Sequence, residues 1–349
     1  MPTGELHIDL EAVAANWRAL DAMSAPGCET AAVVKADAYG LGVTAVAPRL
    51  ARAGARAFFV ATADEGLELR RALGPEPRVF VLYGHMPGDT ATLERADLIP
   101  MLCSVDQLMR HLEALPRAPF GIQLDTGMNR LGLNAAEWAA VADVALEVGP
   151  VLVTSHLASA DTPGSDQNAR QLEAFRSMTE GVDVPRSLAA TGGTLLGADY
   201  HFDMVRPGIG LYGGLPYEGA EPVVRLELPV ITCFDVAEGE TVGYGASWTA
   251  PAATRIATVA GGYADGLHRA LQPDFEVMAG PVPCAVVGRV SMDLLTVDIG
   301  HLDTDPDTVT VLDPHRTVDR LAEAAGTIGY EMLTSLGRRY RTRYRGLDA

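Results

Sequence analysis

A chain of 349 residues, 48% of them hydrophobic and with a mean hydropathy of +0.11, exceeds the usual size of one compact domain and can bury a sizeable core. Its 27 basic against 45 acidic residues give a formal charge of -18, which repels phosphate backbones and argues against nucleic-acid binding. No apolar run approaches the ~18 residues of a membrane span, and "MPTGELHIDLEAVAANW" lacks the basic start and apolar core of a signal peptide. Cys28, Cys103, Cys233 and Cys284 form no C-x-x-C pair and the histidines lack ligand spacing, so neither a disulfide framework nor a metal is expected. A cytoplasmic protein with no membrane contact is the expectation.

In chain order, the first informative stretch is "AAVVKADAYGLG", residues 31–42, a dry apolar run that ends on Lys35. From residue 30 to about 210 a rhythm follows: a short β-rich run, a Gly, Pro or Asp break, then a helical stretch. Strands are expected at Ala32–Lys35, Ala57–Ala61, Val79–Tyr83, Leu98–Leu102, Gly121–Asp125, Val151–His156, Ser187–Ala190 and Phe202–Arg206. Helical patterns such as "VAPRLARAGA", "ADEGLELRRAL", "SVDQLMRHLEAL" and "QNARQLEAFRSM" lie between them. Eight such units predict an α/β fold with a closed (β/α)8 barrel at residues 1–222. A doubly wound open sheet is the alternative, but no G-x-G-x-x-G follows the first strand.

After "VRPGIGLYGG" the texture changes to short alternating runs such as "TRIATVAGGYADG" and "CAVVGRVSMDLLTVDIG", with little helical pattern until about residue 317. Residues 223–349 are therefore expected to form a mostly β domain, joined without a low-complexity linker. The terminal "GRRYRTRYRG" fits a two-faced last strand at least as well as a basic patch.

Barrel chemistry sits at the C-terminal ends of the strands. Lys35 ends the first strand, Arg130 follows the fifth in "QLDTGMNRLG", and His156 closes the sixth in "VTSHLASAD". Thr191, Gly192 and Gly193 follow the seventh strand, and Arg206, Pro207, Gly208 and Ile209 follow the eighth. Small, Gly-rich loops seven and eight are where barrels build a phosphate site from backbone N–H groups. A lysine and a phosphate cradle on one rim point to a phosphorylated carbonyl cofactor held as a Schiff base, for which pyridoxal 5'-phosphate is the natural candidate. Singly, each residue has a plain reading: a lysine can cap a strand with its head in water, and "GYADG" can be an ordinary turn. His156 can be a core histidine, and Arg206 a barrel-end salt-bridge residue.

Over nearly its whole length the chain resembles the alanine racemase family. The stretches that carry the likeness are "HIDLEAVAANWRAL", "VVKADAYGLG", "DTGMNRLG", "SHLASAD", "VRPGIGLYG", "VGYGASWTA", "GYADGLHRAL" and "GRVSMD", in that order. The resemblance implies a barrel plus a β domain, and interconversion of L- and D-alanine that supplies D-alanine for peptidoglycan. It implies pyridoxal phosphate on Lys35 as an internal aldimine, and a head-to-tail homodimer in which Tyr263 of the second subunit is the other catalytic base. Tyr39, Thr191, Gly208 and Ile209 fall on the family's phosphate-binding positions, and Arg206 on the one that meets the pyridine nitrogen. Arg130 and the Met292 backbone fall on positions that handle the substrate carboxylate. Racemisation needs a proton removed from one face of Cα and another returned to the opposite face, hence two bases. An isolated phenol has a pKa of about 10, so His156 and Arg206 are expected to supply positive charge that favours a phenolate. An arginine facing the pyridine nitrogen leaves it unprotonated and weakens the ring as an electron sink.

Two departures from the family stand out. Gln123 occupies a position where many members carry a carbamylated lysine that braces the arginine, and Thr191 replaces a common serine. Alignment through "TSLGRRYRTRYRG" puts Arg338, with Tyr340 nearby, where many members have a phosphate-binding tyrosine. The competing readings are a non-catalytic pyridoxal-phosphate carrier, a basic amino-acid decarboxylase and a racemase of serine or a broader amino-acid set. A carrier would lack the second domain and its "GYADG", and the decarboxylases' "HxGS" and "EPGR"-like segments do not occur here.

Overall fold

Strands covered on both faces read as short unbroken apolar runs, and such runs build the first of two units in this computed structural model, which describes residues 4–271 and 275–347. The expected domain limits at residues 1 and 349 lie outside the described residues. One unit comprises residues 13–211 and 216–219; the other comprises 4–12, 212–215 and the described part of 220–347. Residues 4–12, grouped by the sequence with the barrel, thus fall in the β unit, because β1 (Glu5–Asp9) pairs with strands of that unit.

In the first unit, β2 (Glu29–Thr30) and β3 (Ala32–Val33) form the first barrel strand. They are followed by β4 (Ala57–Val60), β5 (Arg78–Val81), β6 (Ile99–Leu102), β7 (Gly121–Gln123), β8 (Leu152–Thr154), β9 (Arg186–Ser187) and β10 (Met204–Val205). Strands β3 to β9 are parallel and hydrogen-bonded in sequence order. The eighth position closes the ring. β10 pairs in parallel with β2, Val33 N donates to Pro207 O at 3.0 Å, and Arg206 N donates to Ala189 O at 2.8 Å. Side chains that accept backbone N–H groups start several return helices: Thr62 for Ala63–Leu73, Ser104 for Val105–Ala114, and Asn134 for Ala135–Val148, each typically worth ~1 kcal/mol. The helices Leu10–Met23 and Ala135–Val148 are absent from the patterns read in the sequence.

The second unit is built on β11 (Val224–Val236), whose register shifts near Leu226 and Val230 let one 13-residue strand serve several partners. The smaller β12 (Thr241–Val242) and β13 (Trp248–Thr249) pair with each other. β14 (Thr254–Ala260), β15 (Glu276–Ala279), β16 (Val282–Val287), β17 (Leu294–Asp298), β18 (Thr308–Leu312) and β19 (Arg341–Arg345) complete it. The sheet order is β14-β17-β16-β15-β18-β11-β1-β19, with β11 also paired to β14. The Arg/Tyr/Thr alternation of the C-terminus is a strand, β19, parallel to β1 with Ile8 opposite Tyr344. Among the described residues no helix is long and apolar enough to cross a membrane.

Candidate active site

β3 ends at Val33, short of the expected Lys35; the lysine comes after Val34 and opens a short turn of unusual hand. Ala36, Asp37, Ala38 and Tyr39 have φ of 52, 54, 54 and 57°, a left-handed conformation that costs about 1–2 kcal/mol per residue. Hydrogen bonds hold the turn. Glu65 accepts Ala36 N at 2.9 Å through one oxygen and Ala61 N at 2.7 Å through the other, and Asp37 accepts Val43 N at 2.6 Å. The Lys35 ammonium is pushed below its ordinary pKa, first by burial and then by the Arg130 cation, with Glu65 opposing.

Arg206 is buried at the end of the eighth barrel strand. Its guanidinium donates to the Ser187 hydroxyl and, at 2.6 Å, to Ser155 O, and it lies 5.8 Å from the centroid of the Phe59 ring. Burial lowers its pKa to about 10, which still leaves it charged near neutrality. His156 is pushed down to about 3 by burial and by Arg206, Arg130 and Lys35. This bears against the expectation that His156 adds positive charge: burial and a fourth cation beside Arg206, Arg130 and Lys35 both favour the neutral imidazole. Arg130 is exposed and makes no hydrogen bond or salt bridge among the described residues. Gln123 does not brace it. The Gln123 amide is turned into the barrel, where Oε1 accepts the Thr154 hydroxyl at 2.7 Å and Nε2 donates to Leu124 O at 3.3 Å.

Between the seventh and eighth strand ends lies a cluster of donors. Gly208 N and Gly210 N donate to Thr191 Oγ1 at 3.0 and 3.3 Å. A Cβ on Gly208 would lie 2.3 Å from the Tyr39 hydroxyl, so glycine there lets the phenol reach the backbone. Two hydroxyls and two backbone N–H groups therefore share one small volume. A phosphate oxygen is a stronger acceptor for those N–H groups than a neutral hydroxyl. The Ile209 side chain is buried, leaving its backbone as its contribution.

Tyr263 and Met292 lie together in the β unit. The turn Tyr263–Asp265 is joined to the Ser291–Met292 segment by Tyr263 N to Ser291 O and Ala264 N to Met292 O, both at 3.0 Å. Both side chains are exposed. Tyr340 is buried in the same unit, its hydroxyl without a hydrogen-bond partner among the described residues, and Arg338 is exposed.

One signal in the sequence is stronger than any motif. Lys35 is the only lysine in the chain, the other 26 of the 27 basic residues being arginine. A count that separates lysine from arginine finds it. Glu65 and Arg339, which hold the Lys35 and Tyr263 turns, have no such signal, because their partners are distant in sequence.

A barrel with a lone lysine just beyond its first strand, an anion cradle at strands seven and eight and a separate β unit defines a class of barrel-plus-β-domain proteins. Within it, the model of the alanine racemase N-terminal domain matches residues 8–216 and that of the alanine racemase C-terminal domain matches residues 223–344. The chain belongs to the alanine racemase family. It is 62% identical over 349 residues to an alanine racemase of Cereibacter sphaeroides, covering 100% of each chain. It is 61% identical to that of Dinoroseobacter shibae, covering 99% of each. The crystal structure of the Bartonella henselae alanine racemase with covalently bound pyridoxal phosphate superposes with a TM-score of 0.93 at 34% identity, covering 99% of this chain and 100% of that one. The biosynthetic alanine racemase of Pseudomonas aeruginosa gives the same values.

Proposed function

We propose that this chain interconverts L-alanine and D-alanine with pyridoxal 5'-phosphate as cofactor, Lys35 and Tyr263 serving as bases on opposite faces of the substrate Cα. The observation that carries the reading is the sole lysine of the chain at a barrel rim that also bears Arg206 and the Thr191, Gly208, Gly210 and Tyr39 cradle. The residues present fit the cofactor: Lys35 for its carbonyl carbon, Arg206 for its pyridine nitrogen, and the cradle with Ile209 for its phosphate. When bound, pyridoxal phosphate draws electrons from the substrate Cα and makes its hydrogen acidic.

This chain's groups do the rest. The lowered pKa of Lys35 raises the fraction of neutral amine, the form able to take a proton. Tyr263 handles the proton on the other face, and Arg130 with the Met292 N–H holds the substrate carboxylate. Arg206 donates and does not readily release its proton, so it cannot give the ring nitrogen the full positive charge of a pyridinium. His156, kept neutral, can act as a hydrogen-bond partner without adding a fourth charge.

Tyr263 and Met292 are 43% and 53% exposed, which suits a head-to-tail homodimer in which they face the partner's Lys35. The described cysteines are all unpaired, which suits the cytoplasm, where the product D-alanine would feed peptidoglycan synthesis. Purified protein supplied with pyridoxal phosphate should convert L-alanine to the racemic mixture, followed by polarimetry, and do so faster than it converts L-serine. No conversion of alanine, or faster conversion of serine, would contradict the assignment.

A further inference from the structure

The two functional pieces of the β unit are tied together by one guanidinium. Arg339 donates from Nε to Asp265 Oδ1 at 2.7 Å and from Nη2 to Asp265 Oδ2 at 2.6 Å, a two-point fork of the kind that fixes orientation as well as distance. Its remaining nitrogen, Nη1, donates to Asp293 Oδ1 at 2.7 Å. Asp265 is fully buried and lies two residues beyond Tyr263; its Oδ2 also accepts Gly262 N at 3.0 Å, closing the turn that presents the phenol. Asp293 follows Met292 directly, and Gly261 N donates to its carbonyl at 2.8 Å. The two loops touch through their backbones: a Cβ on Gly262 would lie 2.2 Å from Ser291 O and 2.5 Å from Met292 O. On the other side, Gly337 N donates to Asp265 O at 2.9 Å, which brings the segment carrying Arg339 against the turn.

We infer that Arg339, acting through Asp265 and Asp293, is a positioning residue that fixes the Tyr263 phenol relative to the Met292 backbone N–H. The inference rests on the reading of Tyr263 as second base and of the Met292 N–H as a carboxylate contact. With the phenol and the carboxylate donor on separate loops, the distance between proton acceptor and substrate Cα depends on how those loops are held together. Arg339 is the cation that bridges their two carboxylates. A buried carboxylate at Asp265 without its cation is also poorly compensated, so the turn would shift to rehydrate it.

The test compares purified holoenzyme variants for racemisation of each alanine enantiomer and for exchange of the Cα hydrogen with deuterated solvent without inversion. Cofactor absorbance and melting temperature are recorded alongside. Tyr263→Phe is the control on the reading itself. It should abolish racemisation while exchange with retention continues from one enantiomer, through the other base. If Tyr263→Phe racemises like the wild type, the two-base reading fails. Arg339→Met should move toward the same signature, with racemisation falling about 100-fold, as expected for a misplacement near 1 Å, while retained exchange and cofactor absorbance persist. Arg339→Lys should partly rescue it. Asp293→Asn, at an exposed carboxylate, should raise KM for alanine more than it lowers kcat, and it carries the test if Arg339→Met does not fold. With the control behaving as stated, wild-type racemisation in Arg339→Met, a parallel loss of racemisation and exchange, or an unchanged KM in Asp293→Asn overturns the inference.

Discussion

The Thr154 hydroxyl donates to Gln123 Oε1 at 2.7 Å between the neighbouring strands β8 and β7. Gln123 is thereby engaged with a neighbouring strand, and the Arg130 guanidinium stands without a bracing side chain among the described residues. Because Lys35 is the only lysine of the chain, no other side chain can carry a carbamate.

Racemisation should therefore not respond to added bicarbonate. Gln123→Lys puts an amine where a satisfied neutral amide lay buried, at a cost of about 1–3 kcal/mol. Its melting temperature should fall, and bicarbonate should recover part of the loss by converting the amine to a charged acceptor for Arg130. A bicarbonate response in the wild type, or none in Gln123→Lys, contradicts this account of the position.

A second buried cluster sets an acid limit on stability. His85 and His111 are both fully buried, with their Nδ1 atoms 3.2 Å apart. His111 Nε2 faces Ala118 O and so carries a hydrogen, which leaves its Nδ1 to accept from His85, whose Nε2 accepts from the Thr90 hydroxyl at 2.8 Å. The pair is satisfied only when neutral. Burial, His111 and Arg110 lower His85 to about 4, and burial lowers His111. The unfolded chain takes up protons near pH 6.5 and the folded chain does not, so stability is full above about pH 6.5 and is lost as pH falls toward 4. Melting curves should show this decline, and His85→Gln should have a shallower acid slope. Equal slopes would remove the pair from the explanation.

The shared site can be tested by complementation. Lys35→Ala and Tyr263→Phe homodimers should each fail to racemise alanine, and an exchanged equimolar mixture should recover about a quarter of the wild-type activity. Half of its dimers are then hybrids, each with one intact site of two. Proven exchange without recovery would put both bases in one chain.

What the sequence discloses follows from how local the interactions are. The barrel is legible because β4 and β6 are buried along their whole length and read as unbroken apolar runs. The rim residues follow from strand ends once the barrel is assumed. β1 is not assigned to its unit by sequence, because its partner β19 is 336 residues away and its own alternation of Leu6 and Ile8 would suit either unit. Ala135–Val148 is Ala-rich, and of its residues Trp138 and Ala145 are the buried ones, so it shows little helical periodicity. The orientation of Gln123 and the neutrality of His156 depend on which neighbours share the barrel interior. Charge type alone does not give that.

The claim on which the rest depends is that Lys35 holds the cofactor. Borohydride reduction of the holoenzyme, followed by intact mass measurement and peptide mapping, tests it with little ambiguity, since the chain contains one lysine. The account predicts one pyridoxyl group per chain, on the peptide that contains "AAVVKADAYG", and none in Lys35→Ala. An unlabelled chain, or a label confined to the N-terminal amine, would contradict it.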